Sequence, residues 1–207
     1  ARPGSRWPRP LAQSRGAITL NNFLSIHNGG DGVALDNSTA PTPRNVAAAG
    51  AWWRGVEDNA GAGLRVTSLG AINVTYLTAE RNGLQGAVLA NTLGSAGVTL
   101  TGLNTFAQNG ASGLEVQTRG AITAAALVAD LNGGWGAMLD NSGAASPKAV
   151  TLNGTNEFKL NDAGLFVSSA GAITISELTA TWNDSGSGVT LRNNGLGSVG
   201  DVKLLGA

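Results

Sequence analysis

Residues 70–91 read GAINVTYLTAERNGLQGAVLAN, and residues 120–141 read GAITAAALVADLNGGWGAMLDN. The two stretches align without a gap. They share a leading Gly-Ala-Ile, a Leu seven places on, an Asn twelve places on and a closing Leu-x-Asn. The leading phrase also stands at Gly16-Ala17-Ile18-Thr19 and Gly171-Ala172-Ile173-Thr174, so it recurs after 54, 50 and 51 residues. A fixed period of this length means one supersecondary unit stacked on itself.

Matched positions follow each copy. Twelve residues after the leading Gly come Asn28, Asn82, Asn132 and Asn183, then Gly32, Gly86, Gly136 and Gly188. Next are Leu35, Leu89, Leu139 and Leu191, and two residues later Asn37, Asn91, Asn141 and Asn193. The rest of each unit varies the theme. Val98-Thr99-Leu100 leads to Phe106-x-x-Asn109 and Gly113-Leu114-x-Val116, and Val150-Thr151-Leu152 leads to Phe158-x-x-Asn161 and Gly164-Leu165-x-Val167. A degraded copy runs from Val46 through Asn59 to Gly63-Leu64-Arg65-Val66. Each repeat of ~51 residues is therefore two coils.

Within a coil the apolar residues alternate, as in Leu165-Phe166-Val167, Ile173-Thr174-Ile175 and Val189-Thr190-Leu191, which is the period of a strand with one buried face. No stretch sustains helical spacing. Short strands turned at Gly or Asn corners and stacked every two dozen residues predict an all-β, right-handed parallel β-helix. About eight coils at ~4.8 Å each make a rod about 40 Å long. The corner glycines and asparagines, Asn59, Asn109 and Asn161 included, are read as structural. Both residue types enter the left-handed region readily, and a repeated Asn can stack its amide as a hydrogen-bonded ladder.

The chain resembles the right-handed parallel β-helix repeat proteins found as long surface-exposed or secreted chains of bacteria. The motifs that carry the likeness are G-A-I-T-x-x-x-L-T-A-x-x-N-x-x-x-G-V-x-L-x-N and V-T-L-x-G-x-N-x-F-x-x-N-x-x-x-G-L-x-V, cleanest in residues 70–118 and 120–193. The resemblance covers everything after residue 15. It implies the fold and an extracellular or cell-surface setting, as adhesin or filament component; it does not name an activity, since one fold hosts many.

Composition agrees with that setting. There are 31 Gly, no Cys, 13% charged residues and a formal net charge of zero. A nucleic-acid binder needs a basic stripe, which this balance does not supply. Without Cys there are no disulfides or thiol nucleophiles, and no apolar run is long enough for a membrane span. Residues 1–15, with Arg2, Arg6, Arg9, Arg15 and three prolines, form the one compositional break. They read as an N-terminal arm or coil-completing segment ahead of a β-helix over 16–207.

The two ends invite a count. Val98 to Gly120 spans 22 residues and Val150 to Gly171 spans 21; from Val202 to the Gly16 of a following copy is also 21. The expected partner is therefore another copy stacked head-to-tail, through Arg2, Arg6, Trp7, Arg9 and Leu11 on one side and Val202, Leu204 and Leu205 on the other. Contacts of this kind propagate instead of closing.

Signals for chemistry are weak. Glycoside hydrolysis needs two carboxylates at a set separation, but the acidic residues change place between repeats. Glu80 and Asp130 are matched by Ile26 and Thr181, while Asp36 and Asp140 are matched by Ala90 and Arg192. His27 stands alone, with Asp31 its nearest acidic residue in sequence. No phosphate loop, nucleophile elbow or metal cluster is present. The expectation is a non-enzyme without cofactor or metal. Asp36-Asn37 and Asp140-Asn141 are oxygen-rich pairs, four coils apart. Thr19, Thr99, Thr123, Thr151 and Thr174 form an outward column broken by Ala47, Asn73 and Lys203, which suits strand propensity better than an ice-binding array.

The alternative function is a carbohydrate- or surface-binding adhesin module that meets a cell-surface or matrix polysaccharide through Trp135 and Trp182; Trp52-Trp53 lies in the degraded coil. Four Asn-x-Ser/Thr sequons, at Asn37, Asn73, Asn153 and Asn183, are candidate N-glycosylation sites.

Overall fold

The computed structural model describes residues 11–50, 55–195 and 197–206. Among these there are 23 strands, β1 to β23 in chain order, and no helix, hence none able to cross a membrane. The chain begins β1 (Leu11–Gln13), β2 (Ile18–Asn21) and β3 (Ser25–Ile26), and β4 (Val33–Asp36) then returns beside β1 in parallel. Every third strand pairs in this way. The result is three parallel sheets of eight, eight and seven strands, seven complete turns of a β-solenoid with one further strand in each of the first two sheets. The all-β parallel solenoid, the repeat and a count close to eight coils are as the sequence predicts.

The register follows the sequence columns. In the second sheet Thr19, Ala47, Asn73, Thr99, Thr123, Thr151, Thr174 and Lys203 are consecutive partners, facing out. The residues on either side, such as Ile72 and Val74 or Val150 and Leu152, point into the tube and are fully buried. The core is a column of such side chains down the axis.

The inward column of the third sheet follows the two-coil repeat. It runs Val56, Ala79, Phe106, Ala129, Phe158, Ala180, so each phenylalanine lies between alanines of the adjacent rungs. Large and small side chains alternate down this column with the two-coil period of the sequence.

Within residues 1–15, read as an arm or a coil-completing segment, Leu11–Gln13 is a strand paired with Ala34–Asp36. Arg2, Arg6, Trp7, Arg9, Trp52 and Trp53 lie outside the described residues.

Candidate functional site

The corner between the third and first sheets carries one asparagine per rung. Asn28, Asn59, Asn82, Asn109, Asn132, Asn161 and Asn183, two separate columns in the sequence, form a single ladder. Each side-chain Nδ2 donates to the Oδ1 of the next rung at 2.7–3.3 Å, as in Asn59 to Asn82 at 2.9 Å and Asn82 to Asn109 at 3.0 Å. Each backbone N–H donates to the same Oδ1, for example Asn109 N to Asn132 Oδ1 at 3.1 Å. The second Nδ2 hydrogen goes back to a backbone carbonyl, Asn82 to Val56 and Asn109 to Ala79. From Asn59 to Asn161 the side chains are at most 3% exposed with every bonding group used. All the asparagine-to-asparagine bonds run in one sense along the rod.

The backbone logic of this corner differs from the sequence expectation. The left-handed residue is the one before each asparagine, namely His27, Asp58, Arg81, Gln108, Leu131, Leu160 and Trp182, with φ between 53° and 58°. The asparagine instead turns inward to bond. Gly32, Gly86 and Gly136 do not have positive φ; they are glycine for want of room. A Cβ on Gly86 would lie 2.5 Å from the Gly113 carbonyl and 2.8 Å from the Asn109 Nδ2. Gly63, Gly113 and Gly164 occupy the same place in the intervening rungs, while Gly188 in the last has no such neighbour.

The corner between the first and second sheets alternates instead. Asn37, Asn91 and Asn141 are fully buried and close long loops, donating to Arg44, Ala96 and Lys148 carbonyls at 2.7–2.9 Å and to the Gly16, Gly70 and Gly120 carbonyls one rung back. The rungs between use a hydroxyl. Ser68, Thr118 and Ser169 donate to those same three loop carbonyls and accept the N–H of the glycine two residues on. Sequence reading missed these residues, though a Ser/Thr-x-Gly triplet precedes every Ala-Ile phrase (Ser14, Ser68, Thr118, Ser169). Asn193 closes the last loop toward Gly200. Asn104 and Asn156, also missed, are fully buried and cap the turn into the third sheet by accepting from Leu77 and Leu127 N–H.

The lateral faces hold the remaining chemistry. Arg81 donates to Glu57, Asp58 and Glu80 at 2.7–3.1 Å, and its hydrogen bond holds the Asp58 carboxyl below the usual carboxylate range and raises its own pKa. Stacking makes Asp58, one rung on in the corner column, the acidic neighbour of His27, where sequence order had offered only Asp31. Asp36 and Asp140 each accept from the backbone and hydroxyl of the serine two residues on, which makes them turn-formers.

Trp135 and Trp182 lie on different faces. Trp182 is 74% exposed in the left-handed column. Trp135, at the start of β16 (Trp135–Asp140), packs edge-on against Phe166, centroids 5.5 Å apart, and Arg192 lies over the same Phe166 ring. Beside them the outer face of the first sheet has a hollow of about 270 Å³ lined by Val88, Glu115, Gln117, Met138 and Asp140. Of the sequons, Asn73 and Asn153 are exposed and Asn183 is half-buried with one amide hydrogen given to the Phe158 carbonyl, while Asn37 is fully buried with its amide given to two backbone carbonyls.

At the end of the rod, β23 (Val202–Leu205) pairs with β20 (Ile173–Ser176), and Val202, Leu204 and Leu205 are 46%, 59% and 50% exposed. Val202 and Leu204 are the partners of Ile173 and Ile175, which are fully buried. No protein-family profile, curated protein or solved structure matches the chain.

Proposed function

We propose that this chain is an extracellular or cell-surface structural β-solenoid, a subunit or tandem-repeat segment of a filament or sheath that lengthens by stacking coil on coil. The observation that carries the proposal is the single sense of the asparagine ladder. Every rung offers an Oδ1 acceptor toward Asn28 and an N–H and amide donor toward Asn183. A further rung, whether from another copy or from more of the same chain, joins head-to-tail, the geometry that propagates. It also covers the apolar Val202 and Leu204. Burying such side chains contributes ~1.5–3 kcal/mol each. Electron microscopy of the purified chain over a range of concentrations tests this. Filaments with a ~4.8 Å axial repeat, lost in a Leu204→Asp variant, are the expected result. Monodisperse rods at every concentration would overturn it.

A second reading, a polysaccharide-binding adhesin segment, is favoured by one observation. Phe166, packed against Trp135 and Arg192, is the strand partner of Met138, which lines a hollow with Glu115, Gln117 and Asp140 on its walls, an apolar platform near polar groups. Retention on immobilised polysaccharides, weakened by Phe166→Ala and indifferent to Leu204→Asp, separates it from the first.

A further inference from the structure

Six Asn-Gly pairs occur in the chain, at Asn28, Asn82, Asn109, Asn132, Asn153 and Asn194. Asn-Gly is the dipeptide most prone to lose its side-chain amide, because glycine leaves its own nitrogen unhindered. That nitrogen attacks the asparagine Cγ, an N–Cγ bond forms and the Cγ–Nδ2 bond breaks. Ammonia leaves with the proton from the glycine nitrogen, and water opens the succinimide to aspartate or isoaspartate. The step needs a glycine N–H free to react, a side chain free to swing onto it, and water.

The ladder removes all three at Asn82, Asn109 and Asn132. Gly83, Gly110 and Gly133 donate their N–H to the Asn59, Asn82 and Asn109 carbonyls at 2.7–2.9 Å. The three side chains are 2–3% exposed, with both amide hydrogens and the Oδ1 engaged. Asn153-Gly154 is the opposite case. Asn153 ends β17 (Val150–Asn153) with an exposed side chain that makes no hydrogen bond among the described residues, and neither does the Gly154 N–H. Asn28 and Asn194 lie in the first and last rungs.

We infer that Asn153 is a spontaneous deamidation site of the folded rod, and that the ladder keeps Asn82, Asn109 and Asn132 chemically silent until the chain unfolds. In an unfolded chain the mark is one-way. Aspartate has no amide hydrogens for the rung above or the carbonyl behind, and isoaspartate adds a backbone atom to a strand whose register depends on its neighbours. A chain marked at the ladder does not rebuild that rung.

Peptide mapping by mass spectrometry tests this, after incubating the intact chain in mildly alkaline buffer with and without guanidinium. In buffer the Asn153 peptide gains the acid form, whereas the three ladder peptides do so at least ~100-fold more slowly than in denaturant, as for sites that react only in opened molecules. In denaturant all four react at similar rates. Asn153→Gln removes the folded-state signal and leaves the ladder peptides unchanged. Ladder peptides that react in folded rods within a few-fold of their denatured rate, or an Asn153 as slow as the ladder, would overturn the inference. So would refolded rods that retain ladder-deamidated chains in the proportion present before refolding.

Discussion

At the corner from Asn28 to Asn183 every rung brings an asparagine, and from Asn59 to Asn161 each makes the same bonds, whereas at the corner from Asn37 to Asn193 amide and hydroxyl alternate. The difference lies in who receives. In the ladder each amide is donor to one rung and acceptor from the other, so a different side chain breaks a bond on both sides. At the alternating corner the loop carbonyl receives from an amide on one rung and a hydroxyl on the next, and the hydroxyl also accepts a glycine N–H. The first corner tolerates nothing but repetition; the second leaves room for loops of unequal length such as Ser38–Arg44 and Thr92–Gly97.

Substitutions should separate the two corners in a definite order. Asn109→Ala is the most damaging. It strands the Asn82 N–H and one Asn82 Nδ2 hydrogen inside the wall and removes the amide given to the Ala79 carbonyl, while the Asn132 Oδ1 keeps only its bond from the backbone N–H of residue 109, for a loss on the order of 2–6 kcal/mol at ~1–3 for each of the two orphaned donors. Asn109→Thr should be nearly as severe, since a hydroxyl cannot replace an amide that gives twice. Guanidinium unfolding reads both, and a mild Asn109→Thr would dissolve the contrast between the corners.

Gly86→Ala comes next at about 2–3 kcal/mol, the cost of forcing a methyl against the Gly113 carbonyl and the Asn109 amide. Hydrogen exchange should show the lost protection concentrated at Asn82 and Asn109 and not at Asn91. At the other corner Thr118→Val costs ~1–2 kcal/mol, because the Ala96 carbonyl keeps its Asn91 bond and mainly the Gly120 N–H is orphaned. Thr118→Ser should change the unfolding midpoint little.

Arg81→Gln has the smallest effect. Its partners are solvated surface carboxylates, and exposed ion pairs contribute little. The sign with pH is nevertheless fixed. The folded-state pKa of Asp58 is depressed, so its contribution is present above the unfolded value and is lost as pH falls through the folded one. The difference between Arg81→Gln and the parent should therefore close in acid, below the ordinary carboxylate range, and not reopen toward alkaline pH.

Much of this was legible in the sequence, because a solenoid turns sequence columns into spatial columns. The Thr19–Lys203 register and the corner positions of Asn28 and Asn37 follow from counting. What counting could not give was which residue at a corner carries which burden. Asn28 and Asn59 stood in different motifs, yet they share a ladder because both coils pass the same corner. Asn82 invited a left-handed reading on propensity, but the need to bond inward outweighed it, and the strained φ fell to Arg81, whose side chain is free to leave. Ser68 and Asn91 look unrelated as letters; they are equivalent only as donors to a carbonyl. His27 and Asp58 are 31 residues apart in the chain and adjacent on the surface.

The alternation of Phe106 and Phe158 with Ala79, Ala129 and Ala180 has a consequence for how such a rod changes length. A single rung inserted or deleted between Ala79 and Ala180 would set ring beside ring or methyl beside methyl, and would break the alternation of loop-bearing and loopless corners. Two rungs inserted together restore every column. Duplication or loss of an even number of coils is thus the change that leaves every column intact, and the rod grows or shrinks most readily in steps of one repeat, like a chain mended by whole links.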